Sequence, residues 1–361
     1  MIHIHNKMEN DNSNVVTPDR TLARVVKVLS ITPIVGADQI ESAEVLGWNV
    51  VTKKGEFKVG DLAIYYSIGS VLPKDNPDTA FLEGKVLKTR KILGTISQGL
   101  LGPLKWVIPY GLNPEDLKED TDLTEQLNVK KWVPKEEMSL YENEGKTKSI
   151  FPSIIRKTDE DRVQDRVKKL IELQGKNIVI TQKYDGTSTT FMALNNSFTI
   201  CGRNNALLQD SAESFHYFEI AKRYSLEENM LKLGKNIAIQ GELIGQRKDG
   251  KFKINGNRHK VKDFEFYVFN IFDIDKQYYM NWTEIIEITS ALGLKTVPVI
   301  YKGIMKDEWL NVKALIDMAT EQKYDTGEIC EGIVIKSDLG YGFPRTSFKA
   351  ISNEYLLKYR L

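Results

Sequence analysis

The chain has 361 residues, a length that predicts two domains. Hydrophobic residues make up 41% and charged residues 27%, the composition of an ordinary globular protein, and no apolar run approaches a membrane span. The net charge of +1 excludes a polycation, so any affinity for nucleic acid must come from local basic patches.

Residues 1–20 read as a flexible tail. The first 14 are polar and lack the apolar core of a signal peptide, and His3 and His5 are too few to argue for a metal site. Residues 21–135 read as a small β-barrel with a linker. The run Leu22-Ala23-Arg24-Val25-Val26-Lys27-Val28-Leu29 alternates as a strand should, as does Trp48-Asn49-Val50-Val51. Leu62-Ala63-Ile64-Tyr65-Tyr66 follows a glycine turn, and residues 85–92 read as a basic strand. Residues 109–150 turn acidic and carry Pro109, Pro114 and Pro134, which suggests a linker that partly packs on its neighbours.

Residues 136–361 read as a second, α+β domain. Thr158 is placed to cap a helix carrying Val163, Val167, Leu170 and Ile171 on one face. Strands are expected at 177–182, 188–193, 197–202, 236–243, 264–272 and 331–337. Helices are expected around 209–226 and 307–321. Strands and helices do not alternate strictly, which disfavours a doubly wound sheet. Cys201 and Cys330 lie far apart in apolar contexts, so they read as reduced thiols of a cytoplasmic or other reducing intracellular compartment.

The residue that draws chemical attention is Lys183, in Thr181-Gln182-Lys183-Tyr184-Asp185-Gly186 directly after Ile178-Val179-Ile180. A lysine fixed at the end of a buried strand can act as a covalent nucleophile, and Gly186 lets the chain turn closely past a ligand. A surface lysine in an Asp-Gly turn is the plainer alternative. Five further elements follow in order. They are Cys201-Gly202-Arg203-Asn204, Gln240-Gly241-Glu242-Leu243, Phe266-Tyr267-Val268-Phe269-Asn270, Glu331-Gly332-Ile333-Val334-Ile335-Lys336 and Ser347-Phe348-Lys349-Ala350. Taken singly, Arg203 reads as a surface ion pair, the aromatic strand as core, and Lys336 and Lys349 as solvated strand ends. Glu242 and Glu331 stand beside glycine at the edge of apolar runs, where a carboxylate is costly unless paired or bound to metal.

As an ordered set, from Arg162 to Lys349, these elements resemble the signature of the covalent nucleotidyltransferases, the polynucleotide ligases and mRNA capping enzymes. Within that superfamily the chain looks most like the ATP-dependent RNA ligases of the Naegleria type. The segment 151–162 resembles the entry to their ligase domain. Residues 36–40 and 55–61 resemble their N-terminal OB fold. Only 12 residues follow Lys349, so the OB domain is expected before the ligase core, where capping enzymes and DNA ligases carry it after. The fold implied is an ATP-grasp-like nucleotidyltransferase domain preceded by an OB-fold barrel.

The resemblance implies that Lys183 attacks the α-phosphate of ATP, that AMP passes to an RNA 5′-phosphate, and that a 3′-OH then displaces AMP. It implies Asp185, Glu242 and Glu331 as the acids that hold Mg²⁺ or Mn²⁺, largely through its waters. Arg162 would orient the β- and γ-phosphates, Phe269 would stack on adenine, and Gln182 would contact the adenine pocket. Glu242 would also border the nucleotide, Arg203 the ribose or the RNA 3′ end, and Lys336 and Lys349 the phosphates. Two positions depart from the pattern. Gln182 stands where glutamate is usual, and Ser347 replaces the first of two lysines in the last motif, with Arg345 a candidate to compensate.

The implied partners are ATP and RNA with 3′-OH and 5′-phosphate ends, for a protein expected to be monomeric and away from membranes. RNA needs a basic track. Residues 246–262 carry Arg247, Lys248, Lys251, Lys253, Arg258, Lys260 and Lys262 against the single acid Asp249, and Lys85, Lys88, Arg90 and Lys91 offer a second stripe. A solvated hairpin is the alternative for the first. Competing functions are a DNA ligase or other covalent nucleotidyltransferase, or an OB-fold RNA-binding protein with an inactive transferase domain.

Overall fold

The long alternating run near the N-terminus forms β1 (Ala23–Pro33) in a computed structural model that describes residues 15–16, 20–133, 148–208, 211 and 214–359. The chain divides into two compact units, residues 1–142 with 356–361 and residues 143–355. The expected tail lies almost wholly outside the described residues, as does the expected boundary at 135–136.

In the first unit, β1 is followed by β2 (Ile40–Val45), β3 (Trp48–Lys53), β4 (Leu62–Tyr66) and β5 (Leu100–Pro103). They form an antiparallel sheet in the order β3-β2-β1-β4-β5. The first half of β1 pairs with β4 and the second half with β2, across a bulge between Val28 and Ser30. A bulge bends and twists its strand, which lets β1 serve both halves of a curled sheet. The enclosed core contains Val25, Ile64, Tyr66 and Val107 together with Leu123, Leu127 and Val129. Much of the expected linker up to residue 133 is therefore core. Of the expected basic strand, only Arg90–Ile92 is a strand, paired with Thr95–Ser97.

The second unit contains two sheets, antiparallel except where the short strand Lys295–Thr296 runs parallel to Glu265–Asp273. One has the order β13-β6-β14-β15, where β6 is Asn177–Lys183, β13 is Val299–Ile304, β14 is Gly332–Ser337 and β15 is Ser347–Ile351. The other runs through β9 (Asn205–Leu207), β8 (Ser197–Cys201), β7 (Thr187–Leu194), β10 (Ile237–Ile244), β11 (Glu265–Asp273) and β12 (Tyr278–Tyr279). The apolar run in β6 is continuous because both faces are covered. Ile178 and Ile180 join one core with Leu315, Ile333, Ile335 and Phe348, while Val179 joins the other with Phe191, Ile239 and Phe266. Helices α1 (Phe215–Arg223), α2 (Leu226–Lys232), α3 (Trp282–Ala291) and α4 (Val312–Glu321) complete the unit. A capping box of Asn281 and Glu284 starts α3, satisfying two otherwise orphaned N–H groups.

Each expected strand of this unit is found within about two residues of its expected bounds. Two helices differ. The one expected around 209–226 is broken after Arg223, where Ser225 takes a left-handed φ of 47° and α2 begins; residues 209, 210, 212 and 213 lie outside the described residues. Thr158 caps no helix. Arg162 bridges to Lys349, and the Lys349 N–H donates to the Asp161 carbonyl at 2.8 Å, so this stretch is held against β15. Helical geometry starts only at Val163, as a 3₁₀ turn with Arg162 at its N-cap, and the Thr158 hydroxyl instead meets that of Ser188.

Candidate active site around Lys183

β6 ends at Lys183, whose register partner on β14 is Gly332, so Glu331 stands immediately beyond the same rung. Lys183 Nζ lies 2.7 Å from Glu331 Oε2, with both side chains largely buried. After Lys183 the chain passes through Asp185 and Gly186 into β7. A Cβ at Gly186 would fall 2.2 Å from the Leu243 carbonyl oxygen, so only glycine lets this turn approach β10. That approach has a use: the Gly186 N–H donates to Glu242 Oε1 at 2.9 Å. Gly332 is constrained in the same way, its Cβ position lying 2.1 Å from the Ala350 carbonyl oxygen.

Burial disfavours the charged amine of Lys183, but Glu331 and Glu242 outweigh it and raise its pKa above the usual lysine value. Burial pushes Glu242 up to about 8, Glu331 and Asp185 add to the rise, and Lys183 opposes it. Glu331 is also raised, first by burial and with a further contribution from Asp185, against the opposing charge of Lys183. Burial is the leading cause, and the three carboxylates crowd around Lys183, with the Arg258 guanidinium paired to Asp185. Among the described residues, no group of three or more His, Cys, Asp or Glu forms a ready cage for a metal ion. The clustered carboxylates, hard oxygen donors, fit a divalent cation that keeps most of its own waters.

Asp185 is gripped from several directions. Its carboxylate accepts from Arg258 Nη1 at 2.8 Å, from Asn255 Nδ2 at 3.0 Å and from the Tyr355 hydroxyl. Its own N–H donates to His259 Nε2 at 3.1 Å. Burial pushes His259 down to about 4, so the ring is a neutral acceptor. The Tyr324 hydroxyl ties the lysine strand to its acid, donating to the Lys183 carbonyl at 3.2 Å and accepting from the Glu331 N–H at 3.0 Å. The His259 and Tyr324 rings stack at 3.8 Å.

A family model described as RNA ligase matches residues 176–351, and an OB-fold domain model matches residues 22–104. The Naegleria gruberi RNA ligase with PPi superposes with a TM-score of 0.82 at 34% identity, covering 94% of this chain and 99% of that one. A glutamate-to-alanine mutant of that enzyme with ATP and Mn gives a TM-score of 0.82 at 33% identity, with the same coverage. Another, with AMP and Mn, matches at 32% identity and a TM-score of 0.82, over 94% of this chain and 99% of that one. No curated protein matches the chain. This chain belongs to the RNA ligase family.

The remaining expected residues of this RNA ligase fall at different distances from the lysine. Lys349 on β15 pairs with Val334 on β14, beside Arg162. Gln182 donates through Nε2 to the Lys323 carbonyl at 2.9 Å, while its buried Oε1 meets no partner among the described residues. Phe269 is the extra residue of a bulge in β11, since Gln240 pairs with Asn270 and Gly241 with Val268. Lys336 is four residues along β14 from the Lys183 rung and nearly buried; its Nζ donates to the Phe269 carbonyl at 2.7 Å and to Asn270 Oδ1 at 3.0 Å. Arg203 forms a partly exposed ion pair with Asp159 at 2.7 Å.

The loop at 246–262 departs most from expectation. Arg247 pairs with Asp249, Lys248 with Asp263 and Lys260 with Glu328, while Asn255, Arg258 and His259 hold Asp185. Sequence reading counted this loop's charges and missed its three positioning residues. The available signal was Asn255-Gly256-Asn257 ahead of Arg258-His259, a turn-forming cluster that presents side chains at a fixed angle; Asn255 and Asn257 both take left-handed φ values. Tyr324 carried no local signal, because its partners are 141 and 7 residues away.

Proposed function

We propose that the protein is an ATP-dependent RNA ligase that joins a 3′-OH to a 5′-phosphate through a lysyl-AMP and then an RNA-adenylate. The observation that carries this reading is the 2.7 Å contact of Lys183 Nζ with Glu331, inside the ring closed by Glu242 and Asp185. The Lys183 amine attacks the α-phosphorus of ATP and pyrophosphate leaves. Its surplus proton faces Glu331 Oε2, the nearest acceptor. AMP then passes to the 5′-phosphate of RNA, and the 3′-oxygen attacks that phosphate to release AMP.

Asp185, Glu242 and Glu331 would hold Mg²⁺ or Mn²⁺ through its water shell. When bound, such an ion offsets charge on the α-phosphate and favours the neutral amine. Tyr324 at the Lys183 carbonyl and His259 at the Asp185 N–H fix the backbone that follows the lysine side chain, so the amine is already positioned when ATP arrives. Arg162 and Lys349, neighbours across the β15 edge, would receive the phosphates of ATP, and Lys336, four residues along β14 from the Lys183 rung, a phosphate outside the triphosphate. Phe269 would stack on the base, Gln182 would meet the adenine edge through its unpartnered Oε1, and Arg203 would lie towards the ribose or the RNA 3′ end. The Naegleria gruberi structures with ATP and Mn, AMP and Mn, or PPi support this nucleotide and metal chemistry.

We take residues 21–135 as the OB module, engaging RNA, and 136–361 as the ligase domain, acting as a monomer. Both cysteines are buried and unpaired, in keeping with a reducing compartment. No helix among the described residues is long and apolar enough to cross a membrane. The test is incubation with α-labelled ATP and Mg²⁺ or Mn²⁺, then with RNA bearing 3′-OH and 5′-phosphate ends. Label is expected first on protein, then on RNA, followed by sealed product. Labelling by GTP alone, or by no nucleotide with either metal, would sink the reading.

A further inference from the structure

A cavity of about 200 Å³ opens beside the far end of β14, lined by Lys336, Arg345, Arg156, Tyr279, Gln277 and Asp338. Three of these side chains are cationic and one is acidic. The acid is already committed: Asp338 Oδ1 accepts from the Trp282 N–H at 2.6 Å, and its other oxygen lies 3.7 Å from Lys302. Arg345 is fixed in place, its guanidinium 4.0 Å from the Tyr279 ring centre and ion-paired through Nη2 with Glu160. Yet its Nε is buried and meets no acceptor among the described residues. A buried donor without a partner costs free energy, so such a group in a cationic cavity points to an anionic ligand. Lys336 Nζ is held by the Phe269 carbonyl and Asn270 Oδ1, which leaves one of its three donors for a ligand. Burial, then Arg345, push Lys336 down to about 7, so an anion here would restore its charge.

The position of the cavity selects the kind of anion. Lys336 pairs with Val179, whereas the rung of Lys183 is Gly332. Four residues of strand separate them, about 13 Å at the usual rise. The β- and γ-phosphates of an ATP attacked by Lys183 stay close to its α-phosphate, while a polynucleotide carries phosphates further out. Resting on the RNA ligase reading, we propose that this cavity is a phosphate subsite for the RNA strand, in which Arg345 Nε and Lys336 Nζ donate to a backbone phosphate beyond the reacting end.

The test uses the full chain and 5′-phosphorylated RNA with a 3′-OH, with binding followed by fluorescence anisotropy across a KCl series. Arg345→Gln is expected to weaken RNA binding irrespective of sequence and to flatten the slope of log Kd against log salt by about one, the signature of one lost phosphate contact. Arg345→Lys should keep the wild-type slope. Arg156→Gln, at an exposed position, provides the same slope measurement if Arg345→Gln fails to fold. An unchanged slope in the Gln variants would overturn the proposal. So would a raised KM for ATP with RNA binding intact, which would assign the cavity to the triphosphate. A wild-type protein that never takes label from ATP would instead sink the ligase reading, a separable outcome.

Discussion

Two lysines stand on the same face of one sheet, four rungs apart, and their surroundings push them in opposite directions. Lys183 is ringed by Glu331, Glu242 and Asp185, and its amine is held protonated. Lys336 is nearly buried beside Arg345, and its amine is pushed down to about 7. By pKa alone, Lys336 looks the better nucleophile. The geometry separates them, because the Lys336 Nζ donates to the Phe269 carbonyl and Asn270 and stands apart from the carboxylates around Lys183. On the proposed mechanism, Lys183 would gain more from acids that recruit a cation than from a low resting pKa.

The largest effect expected is at Lys183→Arg, which preserves a cation for Glu331 but cannot be deprotonated. Protein labelling by ATP should disappear while the fold is retained, as read by circular dichroism. Glu331→Gln should slow adenylylation by about 10²–10³, the scale of losing one preorganised electrostatic contact; single-turnover labelling measures it, and a loss below tenfold would put the acid outside the site. Tyr324→Phe removes the hydroxyl between Lys183 and Glu331, and should lower kcat about tenfold with little change in KM for ATP. A change confined to thermal stability would reduce Tyr324 to packing.

The smallest effect sharpens the other side of the comparison. Between about 7 and 10.5 the unfolded chain binds a proton at Lys336 that the folded chain does not, so this group makes stability rise with pH. Against Lys336→Met, the wild type should gain up to about 1.4 kcal/mol per pH unit from pH 7 upward. A constant gap in denaturant melts at pH 7 and pH 9 would show that Lys336 is not depressed.

The sequence made the sheets and the order of the motifs legible, because β-branched runs such as Ile178-Val179-Ile180, covered on both faces, and Ile333-Val334-Ile335, which buries its two isoleucines, signal strands. Lys183 and Glu331 were legible as partners only through the resemblance, since 148 residues separate them. Three features stayed hidden. Helix start was misjudged at Thr158, because a tertiary bond to Lys349 overrides a local capping preference. Loop 246–262 reads by its charges, while Asn255, Arg258 and His259 meet Asp185 across about 70 residues. The acid bound by both Arg345 and Ser347, Glu160, lies 185 and 187 residues upstream of them, so no sequence pattern could expose the pairing at the altered last motif.

The most direct test of the central claim is to map the site of AMP attachment by peptide mass spectrometry, after incubating wild-type protein with ATP and Mg²⁺. AMP is predicted on Lys183 and absent from Lys336. AMP on Lys336, or on any residue other than Lys183, would contradict the account.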